Sequence, residues 1–120
     1  MTTGETIPAH GGRLIDLLAT GDEAESLRER AAGLPTVKLN SPSLSDLELL
    51  TTGGYSPLDG FMTRDDYRAV VAEMHLAGGA PWPMPITLAV SDEQAAAIKE
   101  GEEVAFADGA GRTLGVLEVR

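Results

Sequence analysis

The chain has 120 residues, about the size of one domain, and its 42% hydrophobic content is enough for a modest core. Nine basic against nineteen acidic side chains give a formal net charge of -10, which repels phosphate backbones and anionic lipid surfaces and sets nucleic acid and membrane aside as partners. Without cysteine there are no disulfides and no thiolate metal sites.

Met1 to Gly12 mixes threonine, glycine and proline without a period, which predicts an arm held by contact or a frayed end. His10 reads as a turn residue docking that arm. The other histidine, His75, is far along the chain, and no metal site is assigned to either. The first thirty residues hold one apolar run, Leu14 to Ala19, interrupted by Asp16; it is neither a signal-peptide core nor a membrane span, and a cytoplasmic protein is expected. Leu14, Leu17 and Leu18 recur at i, i+3, i+4 and predict a short helix ending near Gly21. Asp22 with Glu25 resembles the cap of a helix from about Glu23 to Ala32, whose charges form a solvated face. Thr36 to Leu39 alternates like a half-buried strand.

Asp46 to Met62 holds the densest set of constrained residues. Ser43 is the expected N-cap of a leucine helix with Leu47, Leu49 and Leu50 on one side. Gly53 can end that helix, so Gly53 or Gly54 is expected at positive φ. Tyr55-Ser-Pro-Leu-Asp-Gly60 then carries a proline that biases Ser56 toward extended backbone, followed by Phe61 and Met62. The expectation is a rigid, apolar-tipped loop joining two helices.

Thr63 is the expected N-cap of the second helix, with Asp65 and Asp66 in its first turn, Met62 and Tyr67 at hydrophobic-staple positions, and its far end at Gly78-Gly79. Tyr67, Val70, Val71 and Met74 give an apolar stripe expected to face the core. Pro81 to Pro85 is a stiff connector with Trp82 as a lid over the core. Ile86 to Val90 reads as a strand buried on both sides. Ser91 to Gln94 matches a capping box opening a helix that stops at Gly101. Glu102 to Ala107 and Arg112 to Val119 form a hairpin around Asp108-Gly-Ala-Gly111. Four strands with flanking helices predict an α+β fold with a small, mostly antiparallel sheet. The chain stops on its last strand, so the protein is expected to continue elsewhere.

Motifs for chemistry are sparse. Neither Gly53-Gly54 nor Gly60 leads into the lysine of a phosphate-binding loop, and Ser56 sits in no nucleophile elbow. The acid pairs Asp65-Asp66 and Asp92-Glu93 lie in first helical turns, where the helix dipole accounts for them.

Pro8-Ala-His-Gly-Gly12, Asp46-Leu-Glu-Leu-Leu50, Gly53-Gly-Tyr-Ser-Pro-Leu58 running on through Asp66 and Tyr67, and Trp82-Pro-Met-Pro-Ile-Thr-Leu88 together resemble the N-terminal domain of ATP sulfurylases (sulfate adenylyltransferases). The resemblance covers nearly the whole chain. It implies a PUA-like domain over residues 1–120, a partly closed, mostly antiparallel β-barrel with flanking helices. It also implies a scaffolding role beside a catalytic domain that makes adenylyl sulfate and pyrophosphate from ATP and sulfate. The family's Gln-x-Arg-Asn-Pro and His-x-x-His segments do not occur here. No catalytic, cofactor-binding or metal residue is therefore assigned, and ATP and magnesium are implied for the full-length enzyme. Gly53, Gly54, Tyr55, Ser56, Pro57, Leu58, Gly60 and Phe61 are the candidate structural or domain-interface residues. The implied partners are the catalytic domain of the parent enzyme and further copies in a homo-oligomer; the alternative is a free-standing PUA-like binding module.

Overall fold

The computed structural model describes residues 7–120, so the first half of the expected arm lies outside the described residues. A short 3-10 turn, His10–Gly12, precedes α1 (Gly21–Ala31), β1 (Thr36–Lys38), α2 (Ser41–Thr52), α3 (Arg64–Glu73), α4 (Asp92–Ala97), β2 (Glu103–Ala107) and β3 (Thr113–Glu118). The chain divides into two compact units, one of Met1–Leu17 and Glu48–Ile86, the other of Leu18–Leu47 and Thr87–Arg120.

The second unit holds the sheet, in the order β1-β2-β3. Strand β2 is central and buried at four successive positions, Val104 to Ala107, as a strand covered on both faces must be. It pairs antiparallel with β3, Glu103 opposite Glu118 and Ala107 opposite Thr113. The hairpin is as expected. Its turn is closed by the Asp108 carboxylate, which accepts from the backbone N–H of Ala110 and of Arg112. Strand β1 joins β2 in parallel, Val37 opposite Phe106. The sheet is thus half parallel rather than mostly antiparallel, because the long excursion between Lys38 and Glu103 carries the chain back in the same direction, as a parallel pairing requires. Three strands form it, not four, and as described the sheet is open. Ile86 to Val90 makes no ladder: Ile86 is buried, but Thr87, Ala89 and Val90 are exposed. The apolar run predicts a strand buried on both sides, but only Ile86 of it is buried and it pairs with no strand among the described residues.

Local capping signals decide several helix ends. The capping box at Ser91 and Gln94 is present in full and starts α4. Thr63 caps α3, its hydroxyl accepting from Asp66 N–H. Two expected caps are corrected. Helix α2 begins earlier than Ser43, because Asn40 Oδ1 accepts from Ser43 N–H and the Asn40 carbonyl from Leu44 N–H, with Pro42 in the first turn where its missing donor is not needed. Helix α1 begins at Gly21 with Thr20 as the preceding residue, whose carbonyl takes Ala24 N–H, so Asp22 lies inside the first turn.

In the first unit, Leu50, Leu58, Val70, Leu76, Trp82 and Ile86 make the buried cluster, with Tyr55, Phe61, Met62 and Ala80 packed against it. Of the expected α3 stripe only Val70 is inside, at 2% exposure; Tyr67, Val71 and Met74 are 44%, 60% and 60% exposed. Helix α3 also ends earlier than expected: Met74 turns left-handed (φ 57) while its N–H still bonds Val70, and Gly78-Gly79 belongs to the turn beyond rather than to the helix end. In the leucine helix only Leu50 is core; Leu49 is exposed. The expected helix at Leu14 to Leu18 is absent. Ile15 N–H donates to Ser56 Oγ and Leu17 N–H to the Thr51 carbonyl, so this segment bonds distant acceptors in place of its own preceding turn.

Burial of Val70 but not of its neighbour gives a sharp contrast. Val70→Asp places an unpaired charge in the cluster and should cost about 3 kcal/mol or more, whereas Val71→Asp should stay within about 0.5 kcal/mol. Urea denaturation of the two variants reads the difference.

Candidate functional site

The loop from Gly53 to Phe61 leaves α2 and enters α3 within the first unit. Gly53 lies at φ +89, and a Cβ there would sit 2.5 Å from the Ile15 carbonyl oxygen and 2.9 Å from Leu14 Cδ1. Glycine is thus required twice over, by the left-handed turn and by the close passage of the arm. The expected positive φ falls on Gly53 and not on Gly54. At Gly54 a Cβ would instead meet Leu49 Cδ2 at 2.7 Å, so exposed Leu49 lies over the loop.

Ser56 is the buried polar residue of the loop. Its hydroxyl accepts from Ile15 N–H (2.9 Å) and donates to the Gly53 carbonyl (2.8 Å). Three backbone bonds complete the turn: Tyr55 N–H to Leu49 carbonyl, Ser56 N–H to Gly53 and Leu58 N–H to Tyr55. The Ser56-Pro57 peptide is cis. Pro57 presses on the arm from the other side, since a Cβ on Gly11 would lie 2.6 Å from Pro57 Cγ. Leu58 is buried in the cluster, Tyr55 and Phe61 pack on it, and Gly60 has open space around it.

Above the loop the aromatic rings converge. Tyr55 meets Trp82 edge-on, centroids 5.8 Å apart, and His10 lies 6.0 Å from Trp82 on a tilted plane. His10 docks the arm as its sequence position suggests, its Nε2 2.6 Å from the Pro81 carbonyl. Trp82 is buried in the core, and its Nε1–H finds no acceptor among the described residues, an omission worth about 1–3 kcal/mol for a buried donor.

The eight candidate residues thus share one loop, anchored through Gly53, Tyr55, Ser56 and Leu58, while Gly60 stands in open space. That network holds the loop in one shape. The Ser56 hydroxyl is buried and already engaged as both donor and acceptor, and among the described residues no three acidic or histidine side chains gather as a metal site would require. Sequence reasoning missed one linked feature. His75 lies with both ring nitrogens against oxygens, the Leu76 carbonyl at 2.7 Å and a Glu73 carboxylate at 2.6 Å, and Asp66 accepts from Ala77 N–H. The spacing Glu73-x-His75 was its only trace in the sequence.

The two kinds of glycine in this loop separate experimentally. Gly53→Ala should lose about 1–3 kcal/mol of stability, from strained φ and collision with the Ile15 carbonyl, while Gly60→Ala should fall within about 0.5 kcal/mol of the parent. Thermal or urea unfolding of both variants gives the comparison.

Comparison with known proteins places this geometry in context. A family model described as a PUA-like domain matches residues 7–120. A sulfate adenylyltransferase of Synechococcus sp. (strain JA-3-3Ab) is 47% identical over 117 residues, 98% of this chain and 30% of that protein. One from Symbiobacterium thermophilum is 50% identical over 94% of this chain and 29% of its own length. A probable bifunctional SAT/APS kinase 2 of Sorangium cellulosum is 45% identical over 94% of this chain and 19% of its own. Among solved structures, a hexameric APS kinase from Thiobacillus denitrificans superposes with TM-score 0.84 at 39% identity, covering 94% of this chain and 23% of that one. The chain thus spans under a third of the length of these relatives. With the family model accounting for every described residue, the chain belongs to the PUA-like domain family.

Proposed function

We propose that this chain is the non-catalytic N-terminal domain of a sulfate adenylyltransferase, which joins ATP and sulfate into adenylyl sulfate and pyrophosphate, and that it positions and stabilises the catalytic domain. The observation that carries the reading is the shape of the match: near-complete coverage of this chain against 30% of a relative so named. Charge supports it. Holding a triphosphate beside a sulfate needs converging cationic donors. Here nine basic residues are spread through a chain of net charge -10, and Arg30 and Arg112 already face Glu103 and Asp108.

Within this reading residues 1–120 form one PUA-like domain whose barrel is built out from the three-stranded sheet. The loop carrying Gly53, Gly54, Tyr55, Ser56, Pro57, Leu58, Gly60 and Phe61 faces the catalytic domain, and ATP and magnesium are held by the rest of a cytoplasmic parent. No helix among the described residues is long and apolar enough to cross a membrane. The hexameric neighbour supports a parent that assembles from several copies. A free-standing PUA-like binding module is the second reading, favoured by a family match that 7–120 fill by themselves.

Two measurements test the proposal. The purified chain, given ATP, magnesium and sulfate, should release no pyrophosphate above background and bind ATP no tighter than millimolar; sulfate-dependent turnover would overturn a non-catalytic role. Reading the gene onward from the codon for Arg120 should reveal in-frame Gln-x-Arg-Asn-Pro and His-x-x-His segments, whereas a stop codon there would favour the free-standing module.

A further inference from the structure

His75 follows the last turn of α3 and begins the strap that leads to Trp82. One ring nitrogen meets the Leu76 carbonyl at 2.7 Å and the other a Glu73 carboxylate oxygen at 2.6 Å. A neutral imidazole has one N–H and one lone pair, so only the imidazolium donates to both. The strap itself is a closed piece of backbone: His75 bridges Pro81, Leu76 N–H bonds Ala80, Gly79 N–H bonds Leu76, and Trp82 N–H returns to the Met74 carbonyl. The Pro81 carbonyl in turn holds His10. The ring thus joins Glu73 at the end of α3 to Leu76 at the start of the strap, and backbone bonds carry the strap on to Ala80 and Trp82.

We propose that His75 is a protonation-dependent latch, its imidazolium clamping the start of the strap 75–82 to the end of α3 and its deprotonation releasing one of the two holds. When the proton leaves, one ring nitrogen turns a lone pair toward an oxygen less than 3 Å away, and that contact must open. The Leu76 carbonyl first, and then the Glu73 carboxylate, raise the pKa of His75 above its ordinary 6.5. The charged and titratable groups brought to this turn are Glu73 and Asp66 from α3 and, through Pro81, His10 from the arm. Of these the Glu73 carboxylate favours the imidazolium, while burial of the ring opposes it. Because the folded pKa lies above the unfolded one, the latch is fully engaged below the unfolded value and is lost as pH rises through the folded value.

The test is an NMR titration of the His75 ring in the full 120-residue chain, with hydrogen-exchange protection followed at the Leu76, Gly79 and Trp82 amides across the same pH range. The ring should titrate above its ordinary value, and protection at the three amides should fall several-fold as pH crosses that midpoint. Glu73→Gln should move both midpoints down together. His75→Gln, which cannot titrate, should give a flat profile, and His10→Gln should leave the wild-type profile in place. Titration of His75 at or below its ordinary value would overturn the proposal, as would a wild-type profile that His75→Gln reproduces. Should His75→Gln fail to fold, the joint shift in Glu73→Gln decides alone: amide protection that does not follow the ring midpoint contradicts the latch.

Discussion

The Ser56 hydroxyl sits buried between two backbone groups of different segments, accepting from Ile15 N–H and donating to the Gly53 carbonyl. The Gly53 carbonyl also takes Ser56 N–H, but Ile15 N–H depends on the hydroxyl, and a buried unpaired donor costs about 1–3 kcal/mol. The same bond pair explains two neighbouring constraints. Gly53 has no side chain because the arm that Ser56 holds passes within contact of where one would be, and Gly11 has none because Pro57 occupies that space. With arm and loop joined in this way, His10 reaches Pro81 and the three rings of His10, Trp82 and Tyr55 come together.

This arrangement explains why some of the structure was legible in the sequence. The capping box at Ser91, the Thr63 cap, the Asp108 hairpin turn, the glycine stop at Gly53 and the burial of Trp82 are set by residues a few positions apart or by one residue's own chemistry, and these came through. What misled were periodicities whose meaning depends on distant partners. Leu14, Leu17 and Leu18 have helical spacing, yet Ser56 and Thr51 take the amides a helix would need. Tyr67, Val71 and Met74 share a stripe with Val70, yet only Val70 meets the buried cluster and the other three remain outside. The apolar run from Ile86 to Val90 has the composition of a buried strand and finds no ladder among the described residues. The eight loop residues were recognisable as a constrained set; that Ser56 is their anchor, and that His75 joins the end of α3 to the start of the strap, required the fold.

Function follows from the kind of order this creates. Hydrogen bonds in the first unit are used to hold loops, and the second unit presents a three-stranded sheet with α1 packed against β3. The chain is a PUA-like family member whose relatives are three or more times its length. A latch at His75 would make the hold between α3 and the strap responsive to pH without touching any reacting group.

The central structural claim is that Ser56 pins the arm. Hydrogen exchange at the Ile15 amide tests it most directly, measured in the parent chain and in Ser56→Ala. The account predicts a protected Ile15 amide in the parent and strongly accelerated exchange at Ile15 in Ser56→Ala, with α3 amides around Val70 still protected. An Ile15 amide that exchanges freely in the parent, or equally slowly after the substitution, would contradict it.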